Sequence, residues 1–391
     1  MKKRLLAVQG PLQFITGYVA FSWPPRAEDP AEPVEDVLLL YDFLAPPEIE
    51  DAIADAIVQL THTTTWSRIV LIKGEEMDAW MRQRYSRSIG NLHERLGCSE
   101  FDEICLARDH VGAGSPLLLN AYPGARKRTY GDSFGLVGQQ ASMKAFEARS
   151  RLGAWWPGLR SLGRKLLLGA PRHVPFDEAV LTLPIDMSGT YFRTVPLFVP
   201  ARQHVLDCVE RLHESVTELS TYCRELCSQG TGPEDRLYLL SNFTASSLST
   251  FEQEVALYVD VITAHSTPGS TVYIKPHPRS SRETLAAVVD RIGPSHRVVV
   301  IDDARFGRMP IELWSELVRH CGVVAMFSTS AINMKYLYGK EVVLPLDAER
   351  IAKYVAPGKT DYIADGDRLI REAIGNLDTW DGRSALWTRT A

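Results

Sequence analysis

TVYIKPHPRSSRETLAAVVDRIGPSHRVVVID, residues 271–302, reads as strand, turn, helix and strand. The β-branched and aromatic run at its start ends in Lys275-Pro276-His277-Pro278, a helical pattern fills 281–292, and a second apolar run begins at His296. Two strands separated by a helix of ten or more residues pair in parallel through a right-handed crossover. The same grammar extends outward. RLYLLS (236–241), GVVAMFS (322–328) and EVVLPL (341–346) are further strands, with FEQEVALYVDVITAH (251–265), IELWSELVRH (311–320) and INMKYLYGK (332–340) as helices between them. The first half repeats it with Leu5–Val8, VLLLYD (37–42) and RIVLIK (68–73), separated by PPEIEDAIADAIVQL (46–60) and EEMDAWMRQRYSRSIGNLHERLG (75–97). The expected fold is α/β, with two Rossmann-like doubly wound domains over 1–190 and 191–391 and the last helix returning to the first. Two such domains face a central cleft at the carboxyl ends of their strands, where these folds bind ligands. A long helical pattern over 202–230, RQHVLDCVERLHESVTELSTYCRELCSQG, leads into the second and stops at Gly230.

Composition limits the function classes. The 391 residues are 45% apolar and 23% charged, ordinary for a globular chain of two or three domains. A net charge of -5 supplies no basic field for a polyanion, so no nucleic-acid partner is expected. No apolar run reaches the roughly 18 to 20 residues that cross a bilayer, and MKKRLLAVQGPLQ is too short in its apolar part for a signal sequence. A cytoplasmic location follows as the expectation. Residues 151–173, RLGAWWPGLRSLGRKLLLGAPRH, interleave basic residues with Trp155, Trp156 and Leu166–Leu168. They suit either a peripheral contact with the inner face of the membrane or a connector packing its tryptophans between domains. Of the six cysteines only Cys223 and Cys227 lie close, on one helical face, and no second pair completes a metal site. Ordinary thiols are expected.

Four short segments carry chemistry. In Lys275-Pro276-His277-Pro278 the prolines restrict the backbone on both sides of His277 and hold it at a strand end. Arg279, Ser280, Ser281 and a helix start follow, so donors for an anion converge there. After the strand VVAMF, Ser328-Thr329-Ser330 place three hydroxyls at another helix start, as caps or as phosphate contacts. Glu312, following Pro310, is expected in a first helical turn, as a cap or as a chelator of ribose hydroxyls. Asp132, among Gly131, Ser133, Gly135 and Gly138, is a turn former or an exposed carboxylate able to take a proton.

In this order the segments resemble the bacterial sialyltransferases, including lipooligosaccharide sialyltransferases and polysialyltransferases, which have the two-domain GT-B fold and use CMP-sialic acid. The resemblance implies that Asp132 is the general base and that His277 contacts the CMP phosphate as acid or electrostatic stabiliser. Lys275, Pro278, Ser328, Thr329 and Ser330 join the CMP site, and Glu312 matches a position that binds the cytidine ribose. Where the family commonly has an acid pair followed by Gly, this chain has Gly131-Asp132-Ser133, so the base survives without its acidic partner. The implied activity is inverting and metal-independent, moving sialic acid to a galactoside or sialoside in bacterial surface glycans such as lipopolysaccharide or capsule. The partners are then a CMP-sugar donor and an oligosaccharide or glycolipid acceptor, with no further cofactor. Alternatives are a transferase for another CMP-activated acidic sugar such as Kdo, a CDP-glycerol glycerophosphotransferase, and a glycan-binding protein with a decayed site.

Overall fold

The computed structural model describes residues 1–24, 33–41, 47–107, 114–132, 174–185, 195–377 and 385–387. The stretch 151–173 therefore lies outside the described residues, as do Ser133, Gly135 and Gly138. Two compact units result, one of Met1–Cys208 with Gly382–Ala391 and the other of Val209–Asp381. The sequence division at 190/191 puts 191–208 on the other side of that boundary.

In the first unit, strands β1 (Lys2–Val8), β2 (Val34–Tyr41), β3 (Arg68–Ile72), β4 (Glu103–Leu106), β5 (Arg126–Gly131), β6 (Glu178–Leu181) and β7 (Leu197–Val199) pair in parallel. The order is β13-β7-β6-β5-β4-β1-β2-β3, with β13 (Ala385–Trp387) antiparallel to β7 at one edge. Leu5, Ala7, Leu39, Ile104, Leu106 and Ala179 form part of the core, because interior parallel strands are covered on both faces. A row of buried ion pairs crosses the strands near their amino-terminal ends. Arg4 bonds Asp36 on β2 at 2.9 Å, and Arg128 on β5 pairs with Glu103 on β4 at 3.2 Å and with Glu178 on β6.

The second unit holds β8 (Arg236–Leu239), β9 (Thr271–Lys275), β10 (Arg297–Val300), β11 (Gly322–Ala325) and β12 (Val342–Val343), all parallel, in the order β10-β9-β8-β11-β12. The chain runs outward from β8 in one direction through β9 and β10, then returns beside β8 as β11. The switch point is therefore at β8/β11, and the crevice outside its carboxyl ends is the usual ligand position. The helix Phe251–His265 starts with a capping box, in which Thr250 and Gln253 satisfy each other's backbone N–H groups.

Two long helical patterns are each broken. Residues 75–97 form helices Gly74–Met81 and Tyr85–Leu96, and 202–230 form Arg202–Ser215 and Thr217–Ser228. At the second break Val216 is buried with φ -107 and ψ 72, outside the helical region, and Ser215 Oγ caps back onto the Leu212 carbonyl at 2.7 Å. The six cysteines are thiols. No helix among the described residues is long and apolar enough to cross a membrane.

Candidate active site

At the end of β9 every side chain from Thr271 to Lys275 is buried. Lys275 is enclosed with the strand and spends its ammonium on the Gly307 carbonyl, 5.4 Å from the centre of the Trp314 ring. Burial pushes its pKa down to about 7, Glu312 opposing the fall and the Arg308 cation adding to it. The next three residues leave the strand. Pro276 and Pro278 have no N–H to give, and half-buried His277 sits between them. Its Nδ1 accepts the backbone N–H of Arg279 at 3.1 Å, and its carbonyl accepts that of Ser280 at 2.8 Å. An acceptor role for Nδ1 places the proton of the neutral ring on Nε2, as a hydrogen-bond donor. Burial, with the charges of Arg279 and Lys275 and against that of Glu254, takes the imidazole pKa down to about 4.

Glu312 departs from the sequence expectation. It lies in a 3-10 turn, Ile311–Leu313, ahead of the helix Ser315–His320. Fully buried Trp314, with φ -100 and ψ 48 and its indole N–H on the Met309 carbonyl at 3.4 Å, separates the two. Glu312 is 2% exposed and accepts from Asn333 Nδ2 at 2.7 Å, while the Tyr338 hydroxyl donates to its backbone carbonyl. Asn333 and Tyr338 belong to the helix Ser330–Tyr338, which Gly339 closes in the left-handed region at φ +64. The Glu312 turn is thus tied to the helix that Ser328 and Thr329 introduce, and its charge reaches Lys275 on β9.

Ser328, Thr329 and Ser330 follow β11 and are half-buried. The helix start at Thr329 carries no side-chain cap bond, so capping does not account for the Thr329 hydroxyl. Phe327, before them, has φ +52, a conformation costly for an aromatic residue and concentrated at functional turns. Ser241 Oγ, at the end of β8, lies 2.7 and 2.8 Å from the carbonyls of Met326 and Phe327 and so joins the two strand ends at the switch point.

That β8 loop is the part the sequence reading missed. Buried Glu254 accepts the backbone N–H groups of Phe243 and Thr244, both at 3.0 Å, and lies 2.6 Å from the Tyr258 hydroxyl. It fixes residues 241–244 between the His277 and Ser328 loops, and its charge acts on His277. A Glu in the first turn of an apolar helix, beside a capping box that already satisfies that helix start, was the available signal. Asn333 in the apolar run AINMKYLY was another.

In the first unit Asp132 follows β5 and is half-buried. The strand is anchored up to it: Tyr130 is buried with its hydroxyl on the Ala7 carbonyl at 2.8 Å, and the Gly131 carbonyl accepts the Thr182 N–H at 2.9 Å. Gly17 leaves room for the Tyr130 ring, which would lie 2.9 Å from an added Cβ. The structure brings Lys275, Glu312 and the Ser328 helix into one network in the second unit, with His277 beside it; Asp132 stands in the other unit.

Residues 190–346 match the family model Alpha-2,8-polysialyltransferase (POLYST). The matched segment contains His277, Glu312 and Ser328–Ser330, and Asp132 lies outside it. The chain is similar to polysialyltransferases there, and the activity class that goes with the match is glycosyl transfer. No curated protein sequence matches. Among solved structures, UDP-GlcNAc 2-epimerase from Methanocaldococcus jannaschii has a TM-score of 0.52 at 10% identity, covering 100% of this chain and 96% of that one. The Neisseria meningitidis UDP-GlcNAc 2-epimerase has 0.50 at 11%, covering 96% and 94%. The GT-B domain of a Photobacterium damselae sialyltransferase has 0.43 at 11%, covering 96% and 97%. At these identities the two epimerases speak for the shared two-domain GT-B fold alone.

Proposed function

We propose that this polysialyltransferase-like chain is an inverting sialyltransferase that moves sialic acid from CMP-sialic acid to a hydroxyl of a galactoside or sialoside. The observation that carries the reading is His277, held between two prolines at a strand end, with Nδ1 occupied by a backbone N–H and Nε2–H left as donor, inside the segment matched to the family. In this reading Nε2–H and the hydroxyls of Ser328 and Thr329 bind the CMP phosphate, and buried Glu312, instead of meeting the ribose, holds the Ser328 helix in place through Asn333. Asp132 takes the proton of the acceptor hydroxyl, whose oxygen bonds to the anomeric carbon. The bond from that carbon to the phosphate oxygen breaks, and CMP leaves with the electron pair. Charge grows on the phosphate as the bond lengthens, so donors already aimed at it lower the barrier.

The test is CMP release from CMP-sialic acid, with and without lactose or sialyllactose, in the presence of EDTA. Acceptor-dependent release that persists in EDTA and falls in His277→Ala is the expected result. Asp132→Asn should lose about 10²- to 10⁴-fold in turnover, and near-normal turnover in that variant would remove Asp132 as the base. Absence of both release and CMP binding in the wild-type protein would sink the donor assignment.

A further inference from the structure

The loop after β10 brings a second cation to Lys275. Gly307 gives its carbonyl to the Lys275 ammonium, and the next residue, Arg308, is near enough that its charge depresses Lys275. The turn leaves Gly307 no room for a side chain: an added Cβ would stand 2.7 Å from the Asp303 carbonyl oxygen, whose bond to the Gly307 N–H is also 2.7 Å. Position 308 is fixed accordingly. Arg308 Nε is closed off from solvent and has no hydrogen-bond partner among the described residues. Glu312, the carboxylate that acts on Lys275, is already held by Asn333. Two cations therefore converge at the carboxyl ends of β9 and β10, and one keeps a buried donor unpaired. Surface arginines put such donors in water, and structural arginines pair them, as Arg4 and Arg128 do here. Arg308 as a residue is half-buried, and a cation held in this loop at the strand ends suits an anionic oxygen, for which charge-assisted bonds are strongest.

We propose that Arg308 binds an anionic oxygen of the donor nucleotide, either on its phosphate or on the carboxylate of its sugar. This rests on the donor-site reading above and adds to it a residue outside the four motifs. The experiment is calorimetric titration of wild type, Arg308→Met and Arg308→Lys with CMP and with cytidine, together with the KM for CMP-sialic acid and a thermal melt of each. Arg308→Met should weaken binding of the charged ligand about ten- to a hundredfold, with partial recovery in Arg308→Lys. Cytidine binding and the melt should stay as in wild type. Weakened CMP assigns Arg308 to the phosphate; unchanged CMP with a raised KM for CMP-sialic acid assigns it to the sugar carboxylate. Wild-type behaviour toward all ligands overturns the inference, as does an equal loss for cytidine. Should Arg308→Met not fold, Arg308→Lys and Arg308→Gln carry the same comparison. A wild-type protein that binds no CMP overturns the donor-site reading itself, an outcome separable from failure at Arg308 alone.

Discussion

His277 and Lys275 answer pH with the same sign. Each has a pKa in the folded chain below its ordinary value, about 4 against 6.5 for the imidazole and about 7 against 10.5 for the ammonium. The unfolded chain binds more protons across both windows, so each residue makes stability rise with pH there, by at most about 1.4 kcal/mol per pH unit. The His277 contribution is complete above pH 6.5 and is lost as pH falls toward 4; the Lys275 penalty is full below pH 7 and fades toward 10.5. Urea unfolding at a series of pH values should show the acid slope reduced in His277→Asn and the alkaline slope reduced in Lys275→Met. Wild-type slopes in both would mean that neither site is desolvated as described. In the folded protein at neutral pH, His277 is an uncharged donor, suited to a phosphate that already has cations close by.

At the scale of elements, the donor-side arrangement depends on links between turns. Asn333 on one helix holds Glu312 in a 3-10 turn, and Glu254 on another holds the β8 loop. Asn333→Leu keeps the volume and removes the donor, leaving a buried carboxylate oxygen short of a partner. A loss of about 1 to 3 kcal/mol in urea unfolding is expected, and no loss would mean that Glu312 is held by other contacts. These links also mark the limit of what the chain text discloses. Strand runs such as TVYIK and RIVLI and the helix FEQEVALYVDVITAH are set by local periodicity and capping, and could be read directly. The positions of His277 and Ser328 at strand ends followed from them. The Asn333–Glu312 bond joins residues 21 positions apart on either side of β11, and periodicity contains nothing of that meeting. The breaks at Val216 and Trp314 were hidden for a related reason, since a buried side chain there outweighs helical periodicity.

For the whole molecule, each unit has its own hydrophobic core and its own parallel sheet. The ion pairs across β1, β2, β4, β5 and β6 lock the lateral order of the first sheet, and one residue serves three of those strands. Arg128→Met strips Glu103 and Glu178 of their shared cation and should cost about 3 to 5 kcal/mol. Hydrogen exchange would register it as lost protection in β4–β6, with β8–β11 unchanged; equal loss in both sheets would show that the ion pairs do not act on the first unit alone. The first sheet also has an edge whose partner arrives late. Strands β1 to β7 are complete by Val199, whereas β13 begins at Ala385. At ribosomal speeds of about 5 to 20 residues per second, the outer edge of β7 waits roughly 10 to 40 seconds for its partner. During that interval of synthesis the nascent chain presents an open row of backbone donors and acceptors, the surface on which one polypeptide recruits another.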